Sequence, residues 1–314
     1  MKAPELPARI WNGFFYHGFS AGSLGLLRIY FGYLLLPFHA LQFGALLALD
    51  PFGPAFYFTD RIWYFNALGI HSHLPQLTPI AFAVLLVATL AMALGRWTRA
   101  SIFVVILCIF YLKGVRDSFA GDIHHRYLMP THMLIILLMS RCGDVRSRDS
   151  RARPRVQPLA EWEASWPIKA MQLYIASFYF WGAVAKLRAS GLAWFYGGGK
   201  IQEILVERAV RWGGTDLRAQ IANPISLALA QSAWLMDILG ALTLVMEAGF
   251  PLILLVRRTR WRLMFLLGVT FFHLANYLLI GVKFVLIPIV FLAFFDLVPV
   301  HRWLTTRFRS KRRS

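Results

Sequence analysis

Apolar runs, each close to the length of a membrane-spanning helix, constrain this chain more than any other feature of its sequence. A helix needs about twenty consecutive apolar residues to cross the hydrocarbon core of a bilayer. Stretches approaching that length recur between residues 22 and 297. The chain is also 58% hydrophobic, too apolar for a soluble domain of 314 residues. The sequence therefore predicts an all-α fold, a polytopic transmembrane helical bundle.

The spacing of these runs predicts about eight spans. The third and fourth are shorter than a full span, so we expect polar flanks to extend them or the bundle to enclose them. The segment 198–225 has apolar residues at helical spacing against charged ones, which predicts an amphipathic helix in the membrane interface. The predicted spans are 22–49, 78–94, 100–113, 127–139, 167–187, 234–256, 263–280 and 284–297.

The distribution of basic residues predicts the orientation of the chain. Its net charge is +18, but the lysines and arginines form short clusters between apolar runs, so we exclude nucleic acid as a partner. Such clusters follow the positive-inside rule and attract anionic lipid. We expect a plasma (inner) membrane protein with both termini cytoplasmic and the lipid bilayer as a partner. Residues 1–21 would form a cytoplasmic tail, residues 22–297 the membrane domain and residues 298–314 a basic cytoplasmic tail.

Several common chemistries lack their residues in this sequence. Cys108 and Cys142 are far apart and no CxxC occurs, which argues against a thiol relay or a cysteine zinc site. The histidine spacings match no standard zinc motif, so no metal is predicted. Motifs for nucleotide binding and for serine hydrolysis do not occur where they would be needed.

A lysine ends the fifth apolar run, in the stretch YFWGAVAKLRASGLAWFYG. Lys186 is costly at such a place unless it is paired, hydrated or used. Gly182 and Ala183, one turn earlier, allow another helix or a flat ligand to approach closely. Trp194 and Tyr196 follow, and they would form either one wall of a flat-ring pocket or part of an interfacial aromatic belt.

Two histidine motifs are further candidates for chemistry. His124 and His125 lie in IHHRYL, where a neutral imidazole at a hydrated membrane edge can donate to a ring oxygen or relay a proton. The alternative is that they cap a helix and meet lipid headgroups. His273 and Asn276 lie in FFHLANYLLIGVKF and share one helix face. They would face either a binding site or a neighbouring helix that they hold by a hydrogen bond.

An arginine lies inside the first predicted span. Arg28, in LLRIYFG, would be a buried charge, and an unpaired buried charge costs several kcal/mol. Asp237 and Glu247 in the sixth span are the acids that could neutralise it. We therefore expect a structural pair between Arg28 and a carboxylate.

Taken together, these motifs resemble those of vitamin K-dependent gamma-carboxylases and their bacterial relatives, the horizontally transferred transmembrane (HTTM) domain proteins. The stretch around Lys186 is similar to the family's lysine motif, and IHHRYL is similar to its N-H-x-Y-L motif. F-H-x-x-N at His273 and L-R at Arg28 match two further segments. The resemblance covers most of the membrane part of the chain.

The resemblance implies a reduced naphthoquinone, similar to vitamin K hydroquinone, as cofactor. Lys186 would be the base that deprotonates it, assisted by His125 and His273. His124, Asn276, Trp194 and Tyr196 would then bind the cofactor. In the carboxylases, the deprotonated hydroquinone reacts with oxygen to give a strong base, which removes a glutamate γ-proton so that carbon dioxide can add.

Two departures from the family pattern bear on the expected function. The enzymes often have two adjacent lysines, whereas Ala185 precedes Lys186 here. They also carry a large non-membrane domain that grips the protein substrate, and from the short basic stretch after the last predicted span we expect no such substrate-binding domain here. We therefore expect one of two kinds of enzyme. The first is a carboxylase that acts on a small molecule, on a peptide or on a substrate delivered by a partner protein. The second is a simpler quinol-linked enzyme. The alternative is a non-catalytic membrane partner or maturation factor for a secreted peptide.

Overall fold

The computed structural model describes residues 6–16, 18–47, 62–70, 76–120, 127–152, 157–197, 199–213, 219–280 and 286–310. Throughout these ranges the regular structure is helical. The helices are α1 (Leu6–Phe15), α2 (Ala21–Phe43), α3 (Trp63–Ala67), α4 (Leu77–Leu94), α5 (Thr98–Ala120), α6 (Leu128–Met139), α7 (Arg148–Ala152), α8 (Glu161–Ser190), α9 (Gly199–Gly213), α10 (Ala219–Ala230), α11 (Ala233–Gly249), α12 (Thr259–Ile280), α13 (Ile287–Val290) and α14 (Leu297–Ser310). Short 3₁₀ segments occur at Cys142–Asp144, Gly191–Trp194, Phe250–Leu255 and Phe291–Phe294.

Among the described helices, five are long and apolar enough to cross a membrane: α2, α4, α5, α11 with the 3₁₀ turns after it, and α12. A sixth span results if Ile287–Phe294 and Leu297–Thr306, which are bent by 104°, count as one. The all-α membrane fold is therefore confirmed, whereas about eight spans stays a prediction. The other two predicted spans correspond to α6, with 12 residues, and α8, with 30 residues and polar groups such as Lys169 and Gln172 along its length.

The predicted interfacial helix is two helices, α9 and α10. The apolar face of α9 packs on protein, because Leu205 is buried in a cluster with Ala230 and Met236. Gln202 Nε2 also donates to the carbonyl of Ala230 at 2.7 Å. The location of this region in the membrane interface therefore stays a prediction.

The chain divides into two compact units. Unit 1 comprises residues Met1–Met171 and Ile289–Ser314, and unit 2 comprises Gln172–Pro288. Helix α8 begins in unit 1 and ends in unit 2, so Lys186 belongs to unit 2.

Arg28 lies at the centre of the packing in unit 1. Its side chain is fully buried on α2. Nη1 donates to the carbonyls of Met92 at 2.5 Å and Ala93 at 3.1 Å, at the end of α4. Nε donates to the carbonyl of Cys142 at 3.2 Å. Nη2 donates to the carbonyls of Val145 at 3.5 Å and Arg146 at 2.9 Å. The guanidinium thereby joins α2, α4 and the segment that follows α6.

These contacts correct the expectation that Arg28 pairs with Asp237 or Glu247. Backbone carbonyls of unit 1 surround Arg28, whereas Glu247 accepts from Lys186 in unit 2. The physical reason is that carbonyls at the end of a helix and in the irregular segment after one lack the full set of helical hydrogen bonds, which leaves them able to accept from a guanidinium. Asp237 is half-buried on α11.

Gly95 ends α4 and makes room for this arrangement. Its φ of 67° is in the left-handed region, and a Cβ there would lie 2.6 Å from Arg28 Nη1. Asp149 holds the next turn, because its carboxylate accepts from Trp97 N, Thr98 N and Thr98 Oγ1, each at 2.8 Å. Burial opposes ionisation of Asp149, but these hydrogen bonds outweigh it and hold the pKa of that carboxyl below its usual value.

We expect Arg28→Met to lower the thermal unfolding midpoint of the detergent-solubilised protein strongly, because each buried carbonyl left unpaired costs about 1–3 kcal/mol. Arg28→Lys should be intermediate, since lysine keeps the charge but lacks the planar fork. The matched control is Arg148→Gln, which changes an exposed arginine of the same unit. A midpoint for Arg28→Met equal to that of the control would contradict this role.

Candidate functional site

Lys186 and Glu247 form an ion pair in unit 2. Lys186 Nζ lies 2.7 Å from both Oε1 and Oε2 of Glu247. The side chains are 25% and 12% exposed, so the pair is largely shielded from solvent. Gly182 lies one turn before the lysine, and a Cβ there would be 3.4 Å from Glu247 Oε2. That distance is an ordinary van der Waals contact, so the carboxylate packs directly against this turn of α8 and an alanine would also fit there.

A second polar pair lies beside the first. The hydroxyl of Tyr179 and Nε2 of His273 share a hydrogen bond of 2.7 Å. The tyrosine ring stacks on Phe250 with centroids 4.1 Å apart and an interplanar angle of 6°. Tyr179 and Lys186 lie two turns apart on one face of α8, and Phe250, which stacks on Tyr179, follows Glu247 by three residues. The two pairs thus form one polar cluster, the Lys186 cluster, among apolar helices.

Trp194 covers the lysine. Lys186 Nζ lies 5.5 Å from the centroid of its ring, within the range of a cation–π contact. The indole Nε1 is buried and has no hydrogen-bond partner. Gly240 on α11 lies directly against the carbonyl of Trp194, which a Cβ would overlap. The 3₁₀ turn Gly191–Trp194 can therefore reach the lysine only because residue 240 is glycine.

The structure brings together some of the predicted site residues and not others. Lys186, His273 and Trp194 lie in or against the cluster. Asn276 is half-buried, one turn beyond His273. Tyr196 is 78% exposed, although it is only two residues from Trp194. His124 and His125 lie outside the described residues, so their predicted role stays a prediction.

Sequence reasoning missed Tyr179 and the partner of Lys186. Tyr179 precedes Lys186 by seven residues, a spacing that places both on one helix face, so the signal was present. Glu247 was expected, together with Asp237, as a possible partner of Arg28. Lys186 and Glu247 lie on separate helices, so their spacing in the sequence does not show whether Glu247 pairs with Lys186 or with Arg28.

The cluster can hold and move protons. A carboxylate, an amine, a phenol and an imidazole are the side chains that most often serve in acid–base catalysis. A buried indole N–H and its ring can contact a flat, polar-edged molecule by hydrogen bonding and stacking. Within the described ranges, no group of three or more His, Cys, Asp or Glu is arranged to hold a metal ion.

We expect Gly240→Ala to displace Trp194 and lower the thermal unfolding midpoint, since overpacking of this kind costs about 1–3 kcal/mol. The added methyl would overlap the Trp194 carbonyl oxygen and lie 2.8 Å from its carbon. Gly249→Ala is the matched control on the same helix, because a Cβ there would meet nothing within 4 Å. Equal midpoints for the two variants would show that the 3₁₀ turn does not depend on this contact.

Comparison with known proteins places the chain in a family. No curated protein and no solved structure matches it. The HTTM domain, in contrast, matches residues 16–303, nearly the whole chain and all of the helices that build the Lys186 cluster. With several helices able to cross a membrane, the protein is an integral membrane protein. The chain belongs to the HTTM domain family.

Proposed function

We propose that unit 2 carries a quinol-binding catalytic centre and that the protein is a quinol-dependent enzyme similar to vitamin K-dependent gamma-carboxylases. One observation carries the proposal: an amine and a carboxylate in direct contact, beside a tyrosine–histidine pair, in an apolar part of the chain. Ionisable groups in such surroundings are costly and are commonly functional.

The residues of the cluster suit a reduced naphthoquinone. Such a molecule, when bound, would supply a ring hydroxyl as proton donor and the reactivity of the deprotonated ring towards oxygen. The Trp194 indole offers an unpaired buried N–H for a ring oxygen and a flat surface for the ring itself. Lys186 offers positive charge where negative charge develops, which is an effective way to stabilise such a state.

The ion pair between Lys186 and Glu247 limits which of the two side chains could accept a proton from the quinol hydroxyl. While the pair is charged on both sides, its ammonium cannot accept a proton and its carboxylate can. Glu247 would accept a proton from the ring hydroxyl of a bound quinol, and the ammonium of Lys186 would stabilise the negative charge that remains. Alternatively, Lys186 first passes its proton to Glu247 across the 2.7 Å hydrogen bond and is itself the base. In both cases Lys186 and Glu247 together would hold one proton more than in the resting ion pair.

Tyr179 and His273 have a supporting role in this proposal. The 2.7 Å hydrogen bond fixes the orientation of the imidazole, and stacking on Phe250 fixes the tyrosine ring. A neutral imidazole held in this way can pass a proton or donate to a ring oxygen. The proposal includes His125 as a further assisting group, from the family resemblance alone.

Oxygen consumption by the purified protein with a reduced naphthoquinone tests the proposal. We expect Lys186→Ala and Glu247→Gln each to lower the rate by about 10²-fold or more, the usual contribution of a general base. Lys200→Ala is the matched control, since Lys200 pairs with Glu203 at 2.8 Å on the exposed surface of the same unit. Rates for Lys186→Ala and Glu247→Gln equal to that of the control would remove the pair from the mechanism.

Lys186→Arg distinguishes the two proton routes. Arginine keeps the positive charge but does not act as a base. Activity should survive this change if Glu247 accepts the proton and should be lost if Lys186 does. Incorporation of labelled bicarbonate into a glutamate-containing peptide then separates a carboxylase from a simpler quinol oxidase.

The second candidate is a non-catalytic membrane partner or maturation factor for a secreted peptide. The observation that favours it is the tight Lys186–Glu247 pair itself, which could hold α8 against α11. In that case Lys186→Met/Glu247→Leu should preserve stability and partner function, because a well-packed apolar pair commonly replaces a buried ion pair without loss. The wild-type protein would then consume no quinol.

A further inference from the structure

The chain turns sharply before its last helix. The chain bends by 104° between the helical segment Ile287–Phe294 and the helical segment Leu297–Thr306. Asp296, at the bend, accepts from Val298 N at 3.0 Å and from Ser23 Oγ at 2.7 Å, so it fixes both the start of α14 and its attachment to α2. A helix at about a right angle to an apolar helix that crosses a bilayer has the orientation of a helix that lies along the membrane surface.

The two sides of α14 differ. One side packs on α2, where Leu297 is buried and His301 Nδ1 shares a 2.9 Å hydrogen bond with the hydroxyl of Tyr30. The other side presents Val300, 46% exposed, and Trp303, 55% exposed. Tryptophan with its apolar ring and polar edge is typical of the level of lipid headgroups. The outer side of α14 therefore has the character of an interfacial helix.

The charge around α14 has a single sign. Residues 297–314 contain no aspartate or glutamate and six lysines or arginines. Arg146 reaches the base of the helix, because a Cβ built on Gly22 would lie 3.1 Å from Val298 Cγ2 and 3.8 Å from Arg146 Nε. Arg146 and Arg302 are both exposed, and neither forms an ion pair with an acid in the part of the chain that the structure describes.

We propose that α14 and Arg146 form a binding surface for anionic phospholipid headgroups, the α14 surface. Val300 and Trp303 insert at the headgroup level, and Arg302 and Arg146 contact the phosphates. The chemistry selects a lipid surface over other anions because the charges flank exposed apolar side chains on a helix that leaves an apolar segment at a right angle. Basic residues next to membrane helices attract anionic lipid in this way.

Lipid-specific quenching in the full-length protein tests the α14 surface. Thr306→Cys, an exposed position on α14, is labelled with a fluorophore, while native Cys108 and Cys142 are buried. The protein is reconstituted in phosphatidylcholine nanodiscs that contain either spin-labelled phosphatidylglycerol or the same fraction of spin-labelled phosphatidylcholine. We expect the anionic lipid to quench at least about twofold more, because basic residues enrich it locally.

The double variant Arg146→Gln/Arg302→Gln should reduce that excess to near zero. Arg257→Gln/Arg260→Gln removes the same charge at exposed positions of unit 2 and should leave the excess unchanged. Equal quenching by the two lipids in the otherwise wild-type protein would overturn the proposal. So would an excess that survives in the first double variant, or a label fully accessible to aqueous iodide, which would place α14 in water.

Discussion

The structure depends on how positive charges are accommodated among apolar helices. An uncompensated charge in such surroundings costs several kcal/mol, so each buried cation needs acceptors fixed in place. In unit 1 Arg28 takes backbone carbonyls from α4 and from the segment after α6. In unit 2 Lys186 takes the carboxylate of Glu247. The contacts of Arg28 in unit 1 and of Lys186 in unit 2 position the helices that surround each of these side chains.

Much of the helical layout was predictable from the sequence, because apolar runs have a length scale set by the bilayer. The second span, predicted as 78–94, is α4, Leu77–Leu94. The third apolar run ends at Lys113, and the expected extension of its helix by a polar flank is confirmed, because α5 continues to Ala120. The charged residues of that extension have partners inside unit 1: Lys113 pairs with Asp117, and Arg116 donates to Gln42 Oε1 at 2.9 Å. Charged residues of this kind are typical of a loop, but they can lie in a helix when neighbouring side chains form ion pairs or hydrogen bonds with them.

The candidate site was predictable in part for a similar reason. Lys186 and His273 stand out because ionisable groups are rare in apolar runs, and the residues that precede Lys186 on its helix face follow from helical periodicity. Which cation Glu247 would meet was not predictable, since the acceptors of Arg28 are backbone carbonyls that carry no signal in the sequence. The position of Trp194 depends in the same way on one close backbone contact at Gly240.

Geometry separates the roles of the two cations. Arg28 is fully buried, and its planar guanidinium donates to five carbonyls. These hydrogen bonds are sufficient to explain Arg28 as a structural link between helices. Lys186 is 25% exposed and has one carboxylate partner. A buried ion pair of this kind commonly adds no more to the stability of the fold than well-packed apolar side chains would. Structural support is a sufficient explanation for Arg28. For Lys186, the partly accessible amine beside a carboxylate, a phenol and an imidazole supports the proposed role in proton transfer.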